Sequence, residues 1–86
     1  MKALILGLGS IGKRHARNMA ELGLDIVGFD PDLERRLELL EQVPKARVVS
    51  NELEALASGC DVAVVASPNR FHLEQCLAVL NKGLHL

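Results

Sequence analysis

The sequence predicts an α/β fold: a doubly wound parallel sheet, strand order 3-2-1-4, with a stub of a fifth strand. Three observations lead there. Short apolar runs alternate four times with segments of helical period. The connections between them are short, which makes the strands parallel and places helices on both sheet faces. Gly7, Gly9 and Gly12 fall between the first apolar run and the first helical segment.

Ala3 to Leu6 is an unbroken apolar run ahead of a glycine, and it suits a strand buried on both faces. From Ile11, apolar residues recur at Ala16, Met19, Ala20 and Leu22, and Gly23 is a helix stop. Asp25 to Phe29 (DIVGF) reads as the second strand. Pro31 suits a first helical position, so a helix is expected from Pro31 to Gln42 with Leu33, Leu37 and Leu40 on one face. ARVVS, from Ala46 to Ser50, is the third strand. Asn51 caps a short helix carrying Leu53 and Leu56, with Glu54 as the reciprocal partner of a capping box and Gly59 as the stop. Asp61 to Ala66 (DVAVVA) is the fourth strand. Asn69 opens a last helix with Leu73, Cys76, Leu77 and Leu80 on its buried face, and Gly83 stops it. The final LHL is the opening of a fifth strand.

Composition excludes several functions. With 86 residues, one domain is the ceiling. The formal net charge of -1 leaves neither a basic excess for nucleic acid nor an acidic tail for a cationic partner. Lys13, Arg14, His15 and Arg17 form a local basic cluster, read as a solvated helix face. Cys60 and Cys76 have no CxxC partner, so no zinc site is expected, and free thiols suit a reduced, cytoplasmic protein. No run approaches the roughly 20 apolar residues that span a bilayer. The opening MKALILGLGS imitates a signal peptide, but it breaks into glycines and a basic helix without a small-residue cleavage pattern.

The glycines have a chemical reading. A strand, a GxGxxG turn and a helix form the first unit of a Rossmann-like dinucleotide-binding fold. Gly7 permits the tight turn, Gly9 lets main chain approach a pyrophosphate, and Gly12 lets the helix pack closely. The free N–H groups at the helix start, over Ser10, Ile11 and Gly12, face the phosphates with the positive end of the helix dipole. The second strand ends in an acid, Asp30, eighteen residues after Gly12 and near the expected spacing. Its carboxylate can accept from the ribose hydroxyls, at about 1.5–3 kcal/mol per charged bond. It can also cap the helix that begins at Pro31, and the two roles are compatible.

Asp30 also favours NAD over NADP as the cofactor. A 2′-phosphate about 4 Å away would cost roughly 4 kcal/mol, about a thousandfold, unless an arginine intervenes. Arg35 and Arg36 are the available counterweights. Five and six residues on, they are expected inside the helix as surface charge beside Glu34 and Glu38.

The motif GLGSIGKRHA, with His15 three residues past the last glycine, and the segment ASPNRFHLEQCLAVLNKGLHL after strand four carry a resemblance. Together they resemble the N-terminal domain of the Gfo/Idh/MocA family, which takes its name from glucose–fructose oxidoreductase, inositol dehydrogenase and rhizopine catabolism. The likeness runs from Lys2 to Leu86. It implies that Ser67, Pro68 and Asn69 lie beside the cofactor at the end of strand four, and that His72 matches the family histidine there. Asn69 is equally a helix cap, His72 is equally a packing residue, and His15 is read as structural.

Two departures bear on activity. Leu84 stands where the family usually has Lys, and the Glu-Lys-Pro motif, whose lysine assists proton transfer in the family, is not reached by Leu86. The expectation is therefore a truncated dinucleotide-binding domain over residues 1–86, without the substrate domain and without catalytic residues of its own. In a complete enzyme it would serve hydride transfer to or from a sugar or polyol hydroxyl. The sheet edge beside strand four suggests a homodimer or aggregation. A non-catalytic nucleotide-sensing or oligomerisation module shares the glycine turn and the acid but has no use for the Ser-Pro-Asn-x-x-His segment. An S-adenosylmethionine-binding fold has less need of the third glycine.

Overall fold

Ala3, Leu4, Ile5 and Leu6 are all fully buried, as an unbroken apolar run in a central strand requires. The computed structural model describes residues 1–67, 75–77 and 79. Within them four strands, β1 (Lys2–Leu6), β2 (Asp25–Phe29), β3 (Arg47–Val49) and β4 (Val62–Val65), form one sheet in the order β3-β2-β1-β4. Every pairing is parallel, with Leu4 opposite Val27 on one side and Ala63 on the other. Helices α1 (Ser10–Glu21), α2 (Leu33–Gln42) and α3 (Glu52–Leu56) fill the crossovers, and residues 75–77 and 79 are helical. Pro68, Asn69, His72, Leu73, Leu80, Gly83, Leu84 and the expected fifth-strand stub lie outside the described residues.

The period-two alternation of the strands divides the core into two layers. Leu4, Leu6, Val27, Phe29 and Val49 pack with Ala55 of α3 and with Val79 on one face. Ala3, Ile5 and Ile26 pack with Ala16 of α1 and with Leu39 and Val43 on the other. Each fully buried Leu or Ile contributes about 1.5–3 kcal/mol relative to exposure. The three helices therefore project their N-termini toward one end of the sheet, where the strands finish.

Five local expectations are corrected. Helix α2 begins at Leu33, not Pro31, because Asp32 caps it by accepting from Glu34 N at 2.9 Å. Asp30 is accordingly not the cap: its Oδ1 accepts from Asp32 N at 2.9 Å, an Asx turn that holds Pro31 and Asp32 out of the helix. The buried leucine of α2 is Leu39, while Leu33 and Leu37 are exposed and Leu40 is half-buried. Asn51 caps α3 as expected, but Glu54 turns away and pairs with Arg47 at 3.4 Å. On the last helical segment Gln75 and Val79 face the core, Cys76 is half-buried and Leu77 is exposed.

Candidate functional site

The turn after β1 needs two of its three glycines for the fold itself. Gly7 has φ of 100°, and a Cβ there would lie 2.7 Å from Ser67 N. A Cβ on Gly12 would lie 1.8 Å from the Gly7 carbonyl oxygen, an impossible contact. Gly9 is different. Its backbone is extended, with φ of -68°, and among the described residues no atom lies within 4 Å of where its Cβ would stand. Apart from its place at the start of α1, no packing constraint among the described residues requires a glycine here, and its bare backbone leaves room for close approach from outside the chain.

Gly9 is also the N-cap of α1, and among the described residues no side chain caps that end. The first turn of α1 carries no acid. Helices α2 and α3, in contrast, have the side-chain caps Asp32 and Asn51 and acids in their first turns. The N–H groups over Ser10 to Gly12 thus have no side-chain acceptor among the described residues, and they present the positive end of the helix dipole. Ser10 is exposed, and Ile11 is 63% exposed beside it. His15 is exposed on α1 with Arg14 and Arg17, whereas Lys13 of the same cluster is half-buried and pairs with Glu38 of α2 at 2.8 Å.

Asp30, at the end of β2, is 3% exposed. Its Oδ2 accepts from Leu8 N at 2.9 Å, which ties the acid directly to the glycine turn. Both carboxylate oxygens therefore hold main-chain N–H groups, one in the turn and one at the start of α2. A carboxylate has about four acceptor positions, so capacity remains for hydroxyl groups. The residue's main-chain carbonyl accepts from Arg36 Nη1 at 2.8 Å, and Arg35 Nη1 lies 3.6 Å from Oδ2. Both arginines lie inside α2 as expected, and Arg35 is exposed, but both also reach Asp30 and do not stand only beside Glu34 and Glu38. The late start of α2 is the reason: counted from Asp32, Arg35 and Arg36 fall in the first turn, against the acid.

Ser67 completes what the described residues bring together. Its main chain abuts Gly7, and its hydroxyl donates to Gln75 Oε1, a side chain only 5% exposed. Sequence reasoning missed Gln75, and its polar side chain on an apolar helix face offered little signal. It also missed the Leu8 N–H, since a main-chain donor carries none. A cleft of about 570 Å³ opens at the opposite end of the sheet, lined by Arg17, Glu21, Asp25 and Lys45 among others. It lies at the amino ends of the strands, away from the end where open parallel sheets take ligands. Among the described residues no cluster of His, Cys, Asp or Glu could hold a metal, and no helix is long and apolar enough to cross a membrane. Cys60 is buried and Cys76 half-buried, and neither is in a disulfide.

Comparison with known proteins decides the family. Residues 1–86 match the family model GFO_IDH_MocA, described as an oxidoreductase family with an NAD-binding Rossmann fold. The chain belongs to the Gfo/Idh/MocA family. Inositol 2-dehydrogenase of Mycolicibacterium smegmatis is 33% identical over 86 residues, 95% of this chain and 25% of that protein. A probable dehydrogenase from Thermotoga maritima shares the fold at a TM-score of 0.87 and 23% identity, over 99% of this chain and 26% of that one. The WlbA dehydrogenase from Bordetella pertussis, solved with NADH and UDP-GlcNAcA, aligns at a TM-score of 0.79 and 30% identity, over 98% of this chain and 26% of that one. This Gfo/Idh/MocA chain is an NAD-binding Rossmann domain, and it spans about a quarter of the length of the curated relatives it matches.

Proposed function

We propose that residues 1–86 form the coenzyme-holding domain of a dehydrogenase acting on a sugar or polyol hydroxyl. Gly7, Gly9, Ser10, Ile11 and Gly12 would seat the pyrophosphate of NAD, Asp30 its adenosine ribose, and Ser67, Pro68, Asn69 and His72 the nicotinamide end. The observation that carries the reading is Gly9, a bare position whose missing Cβ no packing contact among the described residues requires. The uncapped N-terminus of α1 supports it with unpaired donors and a positive dipole end. Bound there, NAD supplies the hydride acceptor. The chain's own part is to fix the phosphates by main-chain N–H groups and to hold the ribose by a pinned carboxylate. The inositol 2-dehydrogenases among its relatives motivate the substrate class. The relatives' greater length motivates leaving the substrate pocket and the proton-transferring lysine outside these residues.

Calorimetric titration of the chain with NADH tests the reading. Saturable binding is expected, and absence of heat at millimolar NADH refutes it. Self-association along the β4 side of the sheet is part of the same proposal, motivated by the half-buried Val62 and Val64 and the exposed Leu77. Light scattering of a monomer across a hundredfold concentration range would refute that part. A cytoplasmic location is part of the proposal, in keeping with cysteines that are not in disulfides.

A further inference from the structure

We propose that Arg35 determines how strongly this site distinguishes NAD from its 2′-phosphorylated form. The inference rests on the reading of Asp30 as the ribose acceptor. Because both Asp30 oxygens are held by main-chain N–H groups, at 2.9 Å from Leu8 N and 2.9 Å from Asp32 N, the carboxylate cannot swing away from an incoming phosphate. Unopposed, that fixed charge would discriminate against a 2′-phosphate by about a thousandfold.

Two guanidinium groups stand beside it, and they differ in freedom. Arg36 Nη1 donates to the carbonyls of Asp30 and Pro31, at 2.8 and 3.3 Å, and so closes the turn between β2 and α2. Arg35 makes only loose ion pairs, 3.6 Å to Asp30 Oδ2 and 4.0 Å to Asp32 Oδ2, and its side chain is 47% exposed. Long, half-exposed pairs of this kind hold a side chain weakly. Arg35 can therefore turn from the carboxylates to a phosphate, whose oxygens match its planar fork of donors. It stands 3.6 Å from the carboxylate proposed to hold the ribose. Its charge offsets the repulsion from Asp30, so NAD is preferred while the 2′-phosphorylated coenzyme is still admitted.

NADH and NADPH titrated calorimetrically into the chain and into Arg35→Met test the proposal. The wild-type chain is expected to prefer NADH by well under about a thousandfold. Arg35→Met, which keeps the apolar stem, widens the preference by on the order of tenfold or more and leaves NADH affinity within about twofold. Arg35→Lys, with charge but no fork, falls between them. An unchanged ratio in Arg35→Met overturns the proposal. So does a wild-type ratio already at a thousandfold, and that measurement decides alone should the variant not fold. Failure of the wild-type chain to bind NADH overturns the reading of the whole site, and this inference with it. NADH binding with an unmoved ratio strikes Arg35 only.

Discussion

Replacing Asp30 by Asn keeps the shape of the side chain and removes its charge. In the folded chain the carboxylate accepts two main-chain N–H groups at 2.9 Å, from Leu8 and Asp32. An amide has one acceptor oxygen, so one N–H must face an NH2 group. The Leu8 donor is the buried one, and the amide oxygen will turn to it, leaving Asp32 N to water. A hydrogen bond to a charged acceptor contributes about 1.5–3 kcal/mol against about 0.5–1.5 for a neutral one. The Arg35 pair, half-exposed and 3.6 Å long, adds little to folding stability after solvent screening. The net loss is about 2 kcal/mol, which in a domain of this size lowers Tm by about 8–16 °C. Far-UV circular dichroism is the assay, since the chain has no Trp or Tyr, and it is run without coenzyme. Amide exchange supplies a second readout: the Leu8 N–H is protected in the wild type and opens in the variant. A Tm within about 2 °C of the wild type, well below that expected loss, refutes the reasoning. So does a wild-type Leu8 amide that exchanges as freely as that of Ser10.

Three further outcomes are expected. Gly9→Ala folds, at a cost of about 1 kcal/mol or less for the poorer cap, yet loses NADH affinity by about tenfold or more in calorimetry, because its Cβ meets only the ligand. Gly12→Ala fails to give a cooperative melt, since its Cβ would stand 1.8 Å from the Gly7 carbonyl, and a normal melt would count against the turn geometry. Ser67→Ala strands the buried Gln75 and costs about 1–3 kcal/mol, most of which Gln75→Leu restores in the double variant; thermal melts of the cycle measure the coupling.

The strand order was legible because each strand is a short apolar run bounded by turn residues, and short connections leave few ways to arrange four parallel strands. Helix α2 shows where legibility ends. Asp30 and Asp32 are both competent caps, and Pro31 pulls the choice toward the first. The Asx turn of Asp30 decides for the second, and no local propensity announces a side chain whose partner sits 22 residues back at Leu8. The leucine register follows similar logic. Leu33, Leu37 and Leu40 make a plausible stripe, but the sheet offers its opening at Gly28, where an added Cβ would lie 2.6 Å from Leu39 Cδ2. The helix turns Leu39 into that opening, and Leu33 and Leu37 are left in solvent. Reading this from the sequence would have required treating Gly28 as a packing site as well as a strand residue.

The same tie between Asp30 and the glycine turn governs how the site can be dissected. On the proposed reading, any variant of Asp30 that loses NADH binding loses two things together, a ribose acceptor and the support of the loop proposed to meet the pyrophosphate. Loss of affinity alone cannot divide them. The ratio of NADH to NADPH affinity can, because both coenzymes need the loop equally and differ only at the 2′ position. Loop disorder cancels in that ratio, and the charge balance between Asp30 and Arg35 remains. Gly9 provides the complementary handle: an added Cβ there meets no described atom, so beyond a small capping cost its substitution is expected to act on the proposed phosphate contact. A chain in which Gly9→Ala abolishes binding at unchanged ratio, while Arg35→Met changes the ratio at unchanged NADH affinity, has its phosphate and ribose contacts separated by experiment.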